Sequence, residues 1–394
     1  MKDRSSMNVV ASQPQASLGA LTEDVLVLRA VHRAVSELRR GTPVLVHGAE
    51  GAMLVAAAET VGAQGLGEMA RASARPPVLL LAPVRAAALL QRPVPLDAPE
   101  AGAVALRLPS GLMDPARLRA FADPTADQLL GAEGQQLDRA ATPPLAPAAL
   151  ALAKLGRLLP ALVAVPLDRV VTSVPGLIGI AAEEILAYPH TAATTLRAVG
   201  EARVPLEDAK DTRIIAFRAA DGGIEHLAML VGNPEAVLAG GGAPLARLHS
   251  ECFTGDLLGS LRCDCGPQLK GALRRMAEEG AGVLIYLAQE GRGIGLVNKL
   301  RAYTLQDQGL DTLDANRALG YGADERNFLV AATMLRALGI PRVRLLTNNP
   351  DKLAGLAACG IEVQAREEHA FAGNGVNDGY LATKAQRFGH MLPD

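Results

Sequence analysis

Apolar residues recur at helical spacing from Val25 to Arg40 (VLVLRAVHRAVSELRR), and two arginines close the segment, so an amphipathic helix is predicted there. Two short apolar runs follow, PVLVH at Pro43–His47 and PVLLLA at Pro77–Ala82. Both are too brief for helices and read as buried strands, with an apolar, ordered stretch at Ala52–Thr60 between them. This alternation predicts an α/β first domain. Further on, through Pro124 and the run Pro143–Pro147, proline and alanine blur the periodicity, and no elements are assigned.

A boundary is expected near Tyr188–Val204, and beyond it the pattern sharpens. Arg213–Phe217 and Glu225–Val231 read as paired strands around the turn Asp221-Gly222-Gly223. Gly240-Gly241-Gly242 breaks the chain before an apolar run at Pro244–His249. Gln268–Glu279 and Glu325–Leu338 carry helical periodicity, and Gly282–Leu287 (GVLIYL) is a buried strand. Val343–Leu346, Asp351–Ala358 and Ile361–Val363 predict a strand–helix–strand unit. There is no internal repeat.

At 394 residues the chain exceeds what one core usually supports, ~250–300 residues, so two domains are expected. A formal net charge of −2 gives no electrostatic footprint for nucleic acid or an anionic membrane. Residues 1–24, rich in Ser, Gln and Ala, read as a disordered tail without a secretory signal. No run of ~18 apolar residues suggests a membrane span. Four cysteines in so long a chain do not make a disulfide framework, and a cytoplasmic protein is expected.

Three of those cysteines, Cys252, Cys263 and Cys265, fall in HSECFTGDLLGSLRCDCG, a polar, glycine-containing stretch unsuited to inert buried thiols. Thiolates converging from a loop favour Zn²⁺. Three protein ligands would leave a tetrahedral position for water, whose pKa a zinc ion lowers to ~7. Two alternatives stay open on spacing alone: a four-ligand structural site completed by His249 or Cys359, or unrelated thiols. Cys359, in LAACGIEV, reads as a small core residue.

Glycines at 291, 293 and 295 in QEGRGIGL let the backbone approach a ligand, and Arg292 could grip phosphate in a bidentate manner. The spacing is neither a Walker A loop nor a dinucleotide fingerprint, and an ordinary glycine turn fits equally. In GYGADERNF, Asp324 and Arg326 stand at a predicted helix start, where Asp324 could simply be an N-cap. Thr347 ends a strand before Lys352, a position suited to a phosphate grip or to a plain polar turn.

In order and without large gaps, the runs RLHSECFTGDLLGSLRCDCGPQL, YLAQEGRGIGLVNKLRAYTLQDQGLDTLDAN, LGYGADERNF, VRLLTNNPDK and YLATKAQRFGHML resemble GTP cyclohydrolase II, over roughly residues 196–394. The resemblance implies a zinc-dependent hydrolase of riboflavin biosynthesis that opens the guanine ring of GTP, releasing formate and pyrophosphate. It places the zinc ligands on Cys252, Cys263 and Cys265, and the catalytic pair on Asp324 and Arg326. Arg326 would be the nucleophile toward the α-phosphate and Asp324 its base. Contacts to GTP fall on Arg247, Leu248, His249, Ser250, Glu251, Gln268, Glu290, Gly291, Arg292, Thr312, Thr347 and Lys352, with Tyr303 near the guanine. Mg²⁺ on the triphosphate and a homodimer are implied as well. A related enzyme acting on another nucleotide, or a nucleotide-binding regulator with structural zinc, remain the alternatives. Where many family members carry a basic residue before QEGR, this chain has Ala288.

The opening of the first domain, AVSELRRGTPVLVHGAEGAMLVAAAETVGAQGLGEMAR, is similar to dihydroxybutanone-phosphate synthase. That enzyme needs an acidic loop for Mg²⁺, and Gly48–Met53 holds one carboxylate, Glu50, too few for a hard dication. The resulting expectation is a mixed α/β (α+β) two-domain protein. Residues 25–190 form a degenerate dihydroxybutanone-phosphate synthase-like α/β domain without synthase activity, and residues 196–394 a GTP cyclohydrolase II-like domain.

Overall fold

A computed structural model describes residues 22–73, 75–94, 102–129, 137–168, 171–389 and 391. The expected tail therefore lies outside the described residues except for its last three. The predicted first helix spans Glu23–Arg40, with Glu23 and Asp24 in its first turn and Arg39 and Arg40 in its last, each sign complementing the helix dipole. Gly41 ends it at φ 80°, the left-handed conformation that glycine adopts without strain.

Seven strands form the first sheet: β1 (Val44–Gly48), β2 (Gly51–Ala57), β3 (Val78–Leu81), β4 (Val104–Arg107), β5 (Asp138–Ala140), β6 (Ala161–Pro166) and β7 (Ile178–Ala181). Their order is β5-β4-β3-β6-β2-β1-β7, antiparallel except for the β1–β7 pair. Both faces are covered, which is why VLLL and ALVAVP read as continuous apolar runs rather than alternations. Helices Glu23–Arg40, Ala146–Leu155 and Ala182–Thr194 pack on the face carrying Val44, Val46, Met53 and Leu162. The other face, with Leu45, Leu54, Leu79 and Val163, is covered by helices of the first half and also by Ile294, Ala302, Leu305, Ala315, Leu319 and Tyr321 from the second.

The proline-rich stretch left blank by periodicity is ordered wherever it is described. Pro83, Pro115 and Pro147 each stand in the first turn of a helix, where a missing N–H costs nothing. Between Gly48 and Gly51, which pair across β1 and β2, the stretch expected to be a poor acidic loop is a tight hairpin with Glu50 exposed at its tip.

The second sheet comprises β8 (Arg197–Arg203), β9 (Thr212–Arg218), β10 (His226–Gly232), β11 (Leu245–Ser250), β12 (Ala281–Leu287), β13 (Arg342–Leu346) and β14 (Glu362–Glu367), in the order β14-β13-β11-β12-β10-β9-β8. Strands β14, β13, β11 and β12 run parallel, and β12, β10, β9 and β8 form an antiparallel half. The turn between β9 and β10 is closed by Asp221, which accepts from the Gly223 N–H at 2.8 Å. The expected helix at Glu325–Leu338 begins later, at Phe328, because Asn327 rather than Asp324 caps it, accepting from Leu329 N at 3.0 Å. Asp324 is thereby released for another partner. Among the described residues no helix is long and apolar enough to cross a membrane.

Candidate active site

Polar loops follow the carboxyl ends of the parallel strands β11, β12 and β13, the end of an open α/β sheet where ligands bind. After β11 the chain enters a single wide turn at Phe253–Leu257, which folds back so that Cys252 meets Cys263 and Cys265 at the start of helix Cys265–Glu279. The three Sγ atoms lie within 4.8 Å of one another, with Cys252 and Cys263 3.7 Å apart. Two thiolates on one tetrahedral zinc at ~2.3 Å would stand roughly 3.8 Å apart, so this donor set fits the ion.

Gly255 leaves the cup between the sulfurs open: a Cβ there would lie 2.7 Å from Cys263 Sγ and 2.9 Å from Cys252 Sγ. Hydrogen bonds from the neighbouring cysteines hold the Cys252 thiol far below the usual range, and Lys299, whose Nζ is 3.0 Å from Cys252 Sγ, reinforces the shift. Hydrogen bonding to Cys252, together with burial, pushes the Cys263 and Cys265 thiols up. Of the two candidate fourth ligands, His249 faces elsewhere. Its Nε2 lies 3.0 Å from Asp256 Oδ1, and its ring stacks on Tyr286 at 5.6 Å. Cys359 ends the helix Pro350–Ala358 and packs against the second-sheet core.

Strand β11 delivers Arg247, His249 and Ser250 to the cavity. Arg247 donates to Leu346 O at 2.9 Å and to Gln268 Oε1, and its Nε is buried without a protein partner. Desolvation lowers its pKa to about 10, so it stays a buried cation at neutral pH. Lys352 donates to Leu248 O at 2.7 Å, and burial, with Arg247 and Arg326 nearby, pushes its pKa well down. Charging both basic groups in one buried site is costly unless an anion joins them.

Strand β12 leads into Glu290–Gly293, where Gly291 and Arg292 take consecutive left-handed conformations at φ 63° and 61°. Glu290, 2% exposed, is the loop's anchor: it accepts from Phe253 N at 2.7 Å, Lys299 Nζ at 2.8 Å and Gly291 N at 3.0 Å. The freed Asp324 clasps Arg326, taking Nε at 2.8 Å together with Nη2, while Arg326 Nη1 reaches Ser250 Oγ at 3.4 Å. Burial raises the Asp324 pKa, but hydrogen bonding and charge from Arg326 outweigh it and hold the carboxyl below the usual range.

One cavity is lined by all the residues that the resemblance assigns to zinc, catalysis or GTP except two. Leu248 is 1% exposed in the core and offers only its carbonyl, and Asp324 acts from behind Arg326. Thr347 is 1% exposed and accepts from Asn349 N at 3.0 Å, Thr312 opens the helix Thr312–Ala318, and Tyr303 lies under Arg262 and Lys299. Lining residues not singled out include Lys299, Asn348, Asn349, His369, Tyr380 and Lys384. Lys299 and Tyr303 share a helix face at i, i+4, a signal present in NKLRAY. Lys384 comes from helix Asp378–Phe388 and pairs with Asp264 at 2.6 Å, a contact no local pattern reveals.

Thiols, cations and a clasped arginine around one cavity at the carboxyl ends of parallel strands make an α/β enzyme. The sequence profile of GTP cyclohydrolase II matches residues 197–368. A GTP cyclohydrolase-2 of Azospirillum brasilense is 48% identical over 94% of this chain and 96% of its own length. One from Escherichia coli is 49% identical over 50% of this chain, yet over 98% of its own. The chain belongs to the GTP cyclohydrolase II family. A two domain 3,4-dihydroxy-2-butanone 4-phosphate synthase from A. baumannii covers 87% of this chain and 99% of its own, at 18% identity and a TM-score of 0.30, too slight a likeness to bear on function.

Proposed function

We propose that the chain is a zinc-dependent GTP cyclohydrolase II, converting GTP to 2,5-diamino-6-(5-phosphoribosylamino)pyrimidin-4(3H)-one, formate and pyrophosphate, the first step of riboflavin biosynthesis. The observation that carries this reading is the shared cavity: Cys252, Cys263 and Cys265 face the same space as Arg247, Arg292, Arg326 and Lys352. A nucleoside triphosphate needs such a cluster of cations, and Mg²⁺ on its phosphate oxygens would neutralise the remainder.

In this reading Arg247 and Lys352 receive the phosphates, joined by Arg292 from the left-handed loop. Asp324 keeps the Arg326 guanidinium aimed at the α-phosphorus. As an Arg326 nitrogen bonds to that phosphorus and the bond to pyrophosphate breaks, the Asp324 carboxylate takes the guanidinium proton. Water later cleaves the phosphorus–nitrogen bond, freeing the 5′-phosphate and returning Arg326, which regains its proton. Tyr303 and the helix Leu296–Asp307 wall the end of the cavity beside the thiols, where the purine would sit. Zinc held by the three cysteines would activate water for attack on C8 of the purine. The hairpin at Gly48–Gly51 supports a first domain without synthase activity.

Incubating zinc-analysed protein with GTP and Mg²⁺, with formate and pyrophosphate measured in parallel, tests the reading. Equal amounts of both are expected. Neither product from zinc-loaded protein, or release from another nucleotide only, would overturn it. Light scattering at micromolar protein checks the homodimer.

A further inference from the structure

The Gln289–Gly295 loop combines internal hydrogen bonds, Gly293 N to Gln289 O at 3.1 Å and Gly295 N to Glu290 O at 2.9 Å, with an unusual backbone. Arg292 and three of its glycines, at 291, 293 and 295, have φ between 61° and 100°, conformations that persist only where surrounding contacts enforce them. Glu290 anchors the loop's start within the second domain, and one turn of the first domain, at the end of helix Ala146–Leu155, braces its two ends. Arg157 Nη2 donates to Ala288 O at 2.7 Å, at the loop's entry. At its exit, Arg157 lies across Gly295, where a Cβ would meet the arginine's Cδ at 2.9 Å and its Cβ at 3.0 Å.

The main chain of Arg157 joins in. Its carbonyl accepts from Asn298 Nδ2 at 2.9 Å, and that same amide donates to Ile294 O at 3.0 Å. Arg157 is itself left-handed at φ 55°, a conformation its surroundings must impose. Three residues earlier, Lys154 Nζ binds Glu325 Oε1 at 2.7 Å, and Glu325 N donates to Arg292 O at 3.1 Å. Glu325 stands between Asp324 and Arg326, so the same turn reaches both polar segments of the cavity. Arg157 does not line the cavity and touches neither the thiols nor the clasped arginine.

We infer that Arg157 is a positioning residue for ring opening: the first domain fixes the Gln289–Gly295 loop through it. The inference rests on the GTP reading above. It gives the first domain a task that the Escherichia coli relative, which matches only the second half of this chain, must accomplish without it.

The test compares full-length wild type, Arg157→Ala and Arg157→Lys for kcat and KM with GTP, zinc content, thermal unfolding and amide exchange of residues 289–295. For Arg157→Ala, kcat/KM is expected to fall by up to about a hundredfold, the cost associated with an ångström of misplacement. Exchange in the loop should accelerate while zinc content stays at the wild-type level. Arg157→Lys, which keeps the charge and can still reach one carbonyl, should recover part of both. Methylguanidinium added to Arg157→Ala should restore activity in a concentration-dependent manner.

Unchanged kcat/KM and loop exchange in Arg157→Ala would overturn the inference, even if its melting temperature dropped. If Arg157→Ala does not fold, an Arg157→Met enzyme, which keeps the stem and loses the donor, overturns it equally by showing wild-type kcat/KM and loop exchange. A wild type inactive on GTP would instead count against the functional reading, leaving loop exchange to decide the positioning role.

Discussion

Replacing Gly255 with alanine tests the thiolate site more directly than removing a ligand, because every sulfur stays in place chemically. The new Cβ would sit 2.7 Å from Cys263 Sγ, 2.9 Å from Cys252 Sγ and 3.0 Å from Cys265 Cβ. Nonbonded heavy atoms are comfortable at ~3.5–4.0 Å, so two sulfurs must each give by roughly 0.7 Å. A metal site tolerates only ~0.2 Å in its ligand distances. Loss of an outer partner alone costs ~10–100-fold in metal affinity, and spreading the donors themselves should cost at least the upper end of that range.

Gly255 has no left-handed backbone requirement, so alanine acts through the methyl group alone. Zinc content after dialysis against a graded chelator series reads the affinity, and formate release reads the consequence. Gly200→Ala, whose added Cβ would meet nothing within 4 Å, is the control. A Gly255→Ala protein that keeps stoichiometric zinc and wild-type formate release would refute the convergence of the three cysteines on one metal.

Arg326→Ala should abolish pyrophosphate release while zinc content holds, and unchanged release would remove Arg326 from the chemistry. Arg301 binds Glu59 at 3.0 Å and Asp123 at 2.8 Å across the two halves, with all three side chains under one-fifth exposed. Arg301→Ala should cost about 1–3 kcal/mol in urea unfolding, and a loss below the error of the fit would show the pairs to be idle. Burial, the larger cause for each, lowers His226 and His369 to about 4 from the ordinary 6.5. Because the folded state disfavours their protonation, this stability is full above pH 6.5 and drains as pH falls toward 4. Urea midpoints should drop from pH 7 to pH 5, less so in a His226→Gln, His369→Gln variant; equal slopes would contradict the shift. A fragment of residues 196–394 should aggregate or lose most ring opening, since Ile294, Ala302, Leu305 and Leu319 would face water.

The legible parts of the chain were those whose signal is local. The first helix, β1, β3, β13 and the helix Pro350–Ala358 follow from periodicity within a residue or two of their observed ends, whereas β14, expected to end at Val363, runs on to Glu367. The proline- and alanine-rich stretch hides its elements for two reasons. Prolines that mark helix starts read as breakers, and the helix Ala146–Leu155 is buried almost all round, leaving no polar face to give it a period. At the site, residue identities were visible, but the release of Asp324 from its expected capping role was not, because it depends on Asn327 three residues later. Lys384 and His369 reach the cavity only through tertiary packing of the final segment. The boundary, expected as a seam near Tyr188–Val204, is occupied in its first part by the helix Ala182–Thr194, which buries Ile185 with the first sheet and Ala193 with the second.

The intrusion of Ala302, Leu305, Ala315 and Tyr321 into the core of the first sheet sets the order in which this chain can mature on the ribosome. The first half emerges early with one side of its sheet only partly covered, and the rest of that cover is encoded far downstream: the Arg301–Glu59 contact spans 242 positions. Closing a loop of that length is slow, and until it closes the nascent chain displays apolar surface. Such a protein should depend on chaperones during synthesis and, once complete, should melt in a single calorimetric transition despite having two sheets.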